Sequence, residues 1–412
     1  MTTEAIHHQD PETDDLVMRL FLTPEGRGAP FGILKEIRDR APVYKTAFGP
    51  WLLTRYDDCR TALREPRMGK DWAGLMESSG IDDWREHSST SFGERSMLFA
   101  NPPQHTRLRR LVAKAFTPRT VDRLRPSMRI LIDQLLDKIE HDGGGELLDA
   151  FAFPFPVAVI GELLGVPAAD RPRFREHVRV NTATLELGVT KEQIALADIS
   201  NDWLRSYFAD LIVEKRRTGG DDMLCRMIEV EEDGQHLSDT EIIDMGLLLF
   251  AAGFETTTNL IGNGIYCLLR FPDQAARLRA NPDLMPSAIE EILRYETSIQ
   301  ISGRTAFEDI EIGGAIIKAG ETALTALGAA NRDPAKFSEP ERFDIGRVDN
   351  EPLSFGSGIH FCLGASLARA EGIEAFTALI ARFATIELTV EPTWRDQFGF
   401  HGLQRLDVRA GN

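Results

Sequence analysis

Phe355-Gly356-Ser357-Gly358-Ile359-His360-Phe361-Cys362-Leu363-Gly364 decides the reading of this chain. A single cysteine closes a glycine-spaced loop. An apolar helical pattern follows at once through Leu363, Leu367, Ala368, Ile373, Phe376 and Leu379. A thiol just ahead of a helix sits at the positive end of the helix dipole, which favours thiolate. Gly356, Gly358 and Gly364 clear side chains from places where backbone must bend or approach something flat and large. Thiolate, exposed amides and a cleared surface suit one soft metal held through one sulfur. The competing reading is a buried structural cysteine beside a glycine turn. A cysteine hydrolase is disfavoured, because Cys362 and His360 lie two residues apart in a turn, a poor geometry for a general base.

The 412 residues are long enough for a large core, in one large domain or two to three smaller ones. Hydrophobic content of 42% and charged content of 27% are ordinary for a soluble globular protein. The longest apolar run, about Met245 to Phe254, is too short to span a bilayer. The first fifteen residues are acidic and polar and lack the basic and apolar regions of a signal peptide, which points to the cytoplasm. Cys59, Cys225, Cys267 and Cys362 have no paired spacing, so a disulfide framework or zinc site is not expected. A net charge of −17 disfavours nucleic acid and anionic membrane as partners.

Along the chain, residues 1–15 read as a loose tail and 16–412 as a single domain. Pro42-Val43-Tyr44-Lys45, the Gly49-Pro50 turn and Trp51-Leu52-Leu53-Thr54 read as a hairpin, and Asp57 to Arg64 as a short helix. Met68 to Ala100 lacks periodicity and reads as a functional or mobile loop. Helical patterns then dominate: His105–Phe116, Val121–His141, Phe155–Leu164, Asp198–Arg217, Asp239–Leu269, Asp273–Ala280 and Met285–Tyr295. Short strands separated by Gly313-Gly314 and Ala319-Gly320 occupy Arg304 to Thr325, with further strands at Ile386–Val390 and Leu406–Val408. The sum is mainly α with a minor antiparallel β region.

Three more groupings carry chemistry. Ala251-Ala252-Gly253-Phe254-Glu255-Thr256-Thr257-Thr258 lies inside a long apolar helix that its residues suit poorly. A Thr256 hydroxyl can bond back to the Ala252 carbonyl and bend the helix. Ala252 and Gly253 leave room for a small molecule, and Glu255 brings an acid beside an alcohol. The plainer alternative is a kinked core helix with Glu255 solvated. Glu291 and Arg294, three apart on a helix, are either an exposed surface pair or part of a buried cluster. His105 and Arg109 put two donors on one helix face, suited to a carboxylate or to plain solvation.

The order Phe-x-x-Gly-x-His-x-Cys-x-Gly resembles the haem-binding loop of the cytochrome P450 superfamily, soluble bacterial type. Glu255 and Thr256 match the acid–alcohol pair of that family's central helix. Glu291 and Arg294 match its Glu-x-x-Arg signature, with Arg342 of Pro340-Glu341-Arg342-Phe343 as the third member of a structural ion cluster. His105 and Arg109 match its propionate-binding helix, although Asn101 stands where Asp is usual and Pro352 where His is frequent. The resemblance implies a triangular-prism, single-domain fold with haem between the long central helix and the helix after the Cys loop. It implies haem b held by Cys362 as metal ligand, with His105, Arg109, Arg304, Phe355, His360 and Gly364 binding the cofactor. It implies a monooxygenase with Glu255 and Thr256 catalytic, using O2 and a lipophilic small-molecule substrate. The substrate pocket falls to Leu98, Ala252, Ile299, Ile301 and Phe400, each equally suited to a core, with walls expected from Met68–Ala100 and Arg171–Leu196. No flavin or nicotinamide module is present, so electrons come from a ferredoxin-type donor with its NAD(P)H reductase. Arg107, Arg110, Lys114, Arg119 and Arg369 could form its docking patch. The alternatives are a haem-binding sensor or carrier and a peroxide-driven or isomerising haem-thiolate enzyme.

Overall fold

The computed structural model describes residues 10–182, 184 and 189–411, which divide into two compact units. The first comprises the residues up to Lys70, Glu290–Cys362 and Thr393–Gln404. The second comprises Asp71–Ile289, Leu363–Pro392 and the residues from Arg405 onward.

The first unit is built on a five-stranded sheet. Its order is Val43–Lys45, Trp51–Leu53, Thr322–Ala326, Ile301–Ala306, Met68–Gly69. The expected hairpin forms, with Tyr44 opposite Leu52. All named strand pairings are antiparallel except one: Trp51–Leu53 runs parallel to Thr322–Ala326. The long excursion of chain between them permits that pairing, which a tight turn cannot. Successive side chains of a strand point to opposite faces. Trp51 and Leu53 accordingly join a core with Cys59, Leu63, Ile310, Ile317 and Phe337. Leu52 joins a second core with Leu16, Leu20, Leu34, Ile37 and Phe398. A strand buried on both faces reads as an unbroken apolar run, as here.

Residues 11–15, expected to be loose, are instead the first turns of the helix Pro11–Leu22; residues 1–9 lie outside the described residues. Asp10 caps it, accepting from the Glu12 amide at 3.2 Å and the Thr13 hydroxyl at 2.6 Å. The acidic composition hid a buried stripe at Thr13, Leu16, Val17 and Leu20.

Glu291 and Arg294 are wholly buried and meet in a two-pronged pair, Nε to Oε2 at 2.7 Å and Nη2 to Oε1 at 2.8 Å. The expected third member is different. Arg342 contributes only its carbonyl, which accepts from Arg294 at 3.0 Å, and its own guanidinium turns outward to Glu339. Arg347 takes the place instead, donating to Glu291 at 3.1 Å and to the carbonyls of Ser338, Glu339 and Arg342. The Asp344 amide and Asn350 also donate to Glu291. Removing one partner of such a group strands buried charge at a cost of about 3–5 kcal/mol. Glu291→Gln will therefore lower the denaturation free energy by about that amount, read from chemical unfolding. An unchanged midpoint would mean that the arginines hold their carbonyls without it.

The second unit is organised by the helix Asp239–Arg270, opened by a Ser238/Glu241 capping box. It packs against Pro154–Leu163, Lys191–Thr218 and Ala365–Arg382. Lys191–Thr218 begins ahead of the expected Asp198 because Thr190 and Gln193 form another capping box. A three-stranded antiparallel sheet places Asp407–Gly411 between Gly144–Glu146 and Thr385–Leu388.

The stretch expected as a loop carries two helices within this unit, Trp72–Ser78 and Ser88–Arg95. Trp72 donates through Nε1 to the Thr90 carbonyl at 2.8 Å, and its ring fills the space a Cβ on Gly93 would need. Trp72, Met76, Ile81 and Trp84 cluster with Ile194. A polar clasp accompanies this core. His87 Nδ1 lies 2.6 Å from Asp198, and the Ser89 amide and hydroxyl donate to the same carboxylate at 2.9 and 2.7 Å.

The hydrogen bond to Asp198, aided by its charge and that of Asp83, raises the His87 pKa above its ordinary 6.5. Burial alone would raise the Asp198 carboxyl, but Ser89 and His87 outweigh it and hold it below 3.8. The His87 contribution is thus complete below pH 6.5 and is lost as pH rises through its raised value. The gap in melting temperature between the parent and His87→Gln should be widest at mildly acid pH and should narrow through neutrality. A gap flat with pH would place the clasp's strength in Ser89.

Candidate active site

Backbone conformation makes the Cys362 loop. Gly356 and Gly358 have φ of +69° and +72°, the left-handed region that favours glycine. Gly358 is needed a second time, because a Cβ there would lie 2.3 Å from the Leu63 carbonyl oxygen. The Cys362 amide donates to the Phe355 carbonyl at 2.9 Å and the Phe361 amide to Gly358 at 3.1 Å. Phe355 meets Phe361 edge-on at 6.3 Å. Cys362 is half-buried, whereas the other three cysteines are buried. Burial pushes the Cys59 thiol well up, and burial with the nearby Asp222 charge pushes Cys225 to about 11. His360 and Phe355 are half-buried in the same loop. The helix Ala365–Arg382 begins just beyond, with Gly364 at its N-cap.

The first unit also holds Arg304, Ile299, Ile301 and Phe400. Ile299 and Phe400 face each other in an antiparallel bridge, so two of the expected pocket residues meet. Ile301 begins the strand that continues from there. Arg304 is 3% exposed, and burial alone draws its pKa down to about 10. Lys70, which sequence reasoning passed over, has its pKa drawn well down by burial and by the Arg304 charge.

In the second unit His105 and Arg109 lie one turn apart on the helix Gln104–Ala115, His105 buried and Arg109 half-buried. Pro103, not Asn101, is the capping residue, and Asn101 accepts from the His105 amide through its carbonyl. The basic patch beside them is not open charge. Arg107 pairs with Glu241, Arg110 with Glu232 at 2.8 Å and Asp233 at 3.4 Å, and Lys114 with Glu232 at 3.5 Å. Those acids lie far along the chain, where spacing could not find them.

On the long helix, Thr256 Oγ1 donates to the Ala252 carbonyl at 2.7 Å, as its chemistry predicts. Glu255 is 5% exposed, so the solvated alternative does not hold. Gly253 does not simply leave space: a Cβ there would come 3.0 Å from Ile160 Cδ1, so the glycine serves close helix packing. Leu98 is half-buried and Ala252 exposed. Of the expected Arg171–Leu196 wall, residues 183 and 185–188 lie outside the described residues. Sequence reasoning also missed Glu371, 1% exposed on Ala365–Arg382. Burial pushes its carboxyl well up, against a hydrogen bond from Thr257 of the long helix.

Residues 69–401 match the family model for cytochrome P450. The chain is 37% identical over 404 residues to the polyketide biosynthesis cytochrome P450 PksS of Bacillus subtilis, covering 95% of this chain and 98% of that one. It is 43% identical over 368 residues to cytochrome P450 107B1 of Saccharopolyspora erythraea, covering 88% and 89%. The crystal structure of P450BioI in complex with hexadec-9Z-enoic acid ligated acyl carrier protein superposes with a TM-score of 0.88 at 37% identity, covering 93% of this chain and 98% of that one. The chain belongs to the cytochrome P450 family, and its mainly α fold with small sheets is the P450 fold. It is a monooxygenase with haem b as cofactor, which the family binds through a cysteine thiolate. No helix among the described residues is long and apolar enough to cross a membrane. The residues fit the cofactor. Cys362 alone among the cysteines is not buried, and Arg304 is a desolvated cation suited to a propionate.

Proposed function

We propose that this protein inserts one oxygen atom from O2 into a lipophilic small molecule, by hydroxylation or epoxidation, in the bacterial cytoplasm. Electrons come from NAD(P)H through a separate reductase and a ferredoxin-type donor. The Glu255-Thr256 step carries this reading: a carboxylate buried in an apolar helix beside a hydroxyl fixed on the Ala252 carbonyl. A sensor or carrier has no use for such a proton path.

Bound haem supplies the oxygen-activating chemistry. Cys362 would hold it through sulfur, with Phe355 and Gly364 shaping the loop. His105, Arg109, Arg304 and His360 would take its propionates. A hydroxyl that donates to a carbonyl still has lone pairs with which to accept, so Thr256 can position water while Glu255 delivers protons to it. Leu98, Ala252, Ile299, Ile301 and Phe400 would give the substrate apolar contacts. The names of two relatives favour an acyl or polyketide substrate: PksS of polyketide biosynthesis, and P450BioI seen with a fatty-acyl carrier protein.

The test is a screen of such lipids for a shift of the Soret band, followed by turnover with surrogate ferredoxin and reductase. Product formed in step with NADPH use supports the reading. Ligand binding without NADPH use would favour a carrier, and turnover with peroxide alone a peroxide-driven enzyme.

A further inference from the structure

The segment Thr393–Gln404 folds back on itself, with Trp394 opposite Leu403, and its bend pairs with the residues ahead of the strand Ile301–Ala306. The Gln300 amide donates to the Gly399 carbonyl at 3.1 Å, the His401 amide donates to the Ser298 carbonyl at 2.9 Å, and Ile299 faces Phe400 between them. Gly399 and Gly402 flank Phe400 and His401, and glycine lends a backbone no stiffness of its own. The bend is therefore held by what its side chains grip. Phe398 grips the core around Leu52 on one side. His401, 1% exposed, grips on the other. Its ring stacks on Trp394 at 4.0 Å and meets Phe31 edge-on at 5.7 Å. Its Nε2 lies 3.1 Å from Glu296 Oε2. A carboxylate oxygen only accepts, so that nitrogen carries the hydrogen. The other Glu296 oxygen takes Arg332 at 3.5 Å. Arg332 lies over the Phe31 and Tyr295 rings at 3.7 and 4.0 Å and donates to the Tyr295 carbonyl at 2.7 Å.

We propose that His401 is a positioning residue for substrate recognition: through its bond to Glu296 it fixes the Phe400 ring against Ile299 and thereby sets the orientation of the substrate. The proposal rests on the haem-thiolate reading above, with Phe400 as part of the pocket wall. Phe400, Ile299 and Ile301 are half-buried, while the polar neighbour His401 is the buried one. The apolar ring is thus the presented group and the imidazole its tether. Glu296 directly follows the helix Met285–Tyr295, whose Glu291 and Arg294 are wholly buried and paired, so the tether ends on a rigid part of the unit. A side chain that touches a ligand keeps its geometry only when the groups behind it are locked, and hydrogen bonds to a second layer supply that lock. An apolar pocket selects by contact, so a displaced wall ring changes which ligands fit.

The experiment measures the dissociation constants of imidazole and 4-phenylimidazole for the holoenzyme from the shift of the Soret band. Both bind through a ring nitrogen, and only the second carries a phenyl group that reaches the pocket wall. His401→Phe keeps a flat ring for Trp394 and loses the donor. It should bind 4-phenylimidazole about tenfold more weakly, the most that one hydrogen bond to a charged group commonly transmits, and imidazole as the parent does. His401→Gln keeps a donor and should restore most of the affinity. Phe400→Ala should show the same selective loss, and adding His401→Phe to it should cost nothing further. If His401→Phe yields no holoenzyme, His401→Asn, too short to reach Glu296, takes its place. A merely structural role would lower the melting temperature and leave the ratio of the two constants unmoved. An unmoved ratio in either single variant, equal weakening of both probes, or additive losses in the double variant would overturn the proposal. A parent whose Soret band does not respond to imidazole would instead sink the haem-thiolate reading itself.

Discussion

Cys362→Ser and Cys362→His chains will lack the red-shifted reduced carbon-monoxide band, and their monooxygenase turnover will fall to background. The expectation follows from the cysteine inventory. Cys59, Cys225 and Cys267 are buried, and burial disfavours the thiolate at the first two. None can take over the role. The loop itself should survive. It is closed by the Cys362 amide on the Phe355 carbonyl and by glycine conformations, neither of which involves sulfur. Loss of the band with an unchanged circular dichroism spectrum is therefore the expected pairing. A band that persists in Cys362→Ser would remove Cys362 as the ligand.

Thr256→Ala will cut product formation by about 10²–10⁴, the range typical of a positioned proton-transfer group, while NADPH continues to be consumed and peroxide accumulates. The substitution removes the bond from Oγ1 to the Ala252 carbonyl. A back-bond of this kind bends a helix and slightly destabilises it, so the variant should melt no earlier than the parent. Thr256→Ser keeps the oxygen and should keep most of the coupling. Equal coupling in Thr256→Ala and the parent would take this residue out of the chemistry. Early melting in Thr256→Ala would point to a structural role for the hydroxyl.

Much of the site was legible because its signals are local. The glycines of the Cys362 loop and a threonine four residues after a small residue act within one turn or one loop. They can be read from neighbouring letters. The failures share the opposite property. Helix periodicity gave Glu291 and Arg294 a common face but could not say which later arginine would turn inward. The choice of Arg347 over Arg342 is made by the carbonyls of Ser338, Glu339 and Arg342, which the Arg347 fork gathers. Arg110 and Lys114 looked like open positive charge because Glu232 lies more than a hundred residues on. Gly253 looked like a vacancy for a ligand, since nothing in the sequence places Ile160 beside it.

The interleaving of the two units has a consequence for how the protein is made. Thr393–Gln404 belongs to the unit that begins at the N-terminus, and Asp407–Gly411 is the middle strand of the sheet in the other. A ribosome delivers these segments after nearly all the rest of both units. Until they emerge, Leu52 and its neighbours lack Phe398 in their core, and Gly144–Glu146 lacks the strand it pairs with. Neither unit can mature before the residues beyond Thr393 have been made. A stop codon just ahead of Thr393 would leave both units unfinished, however complete the Cys362 loop itself.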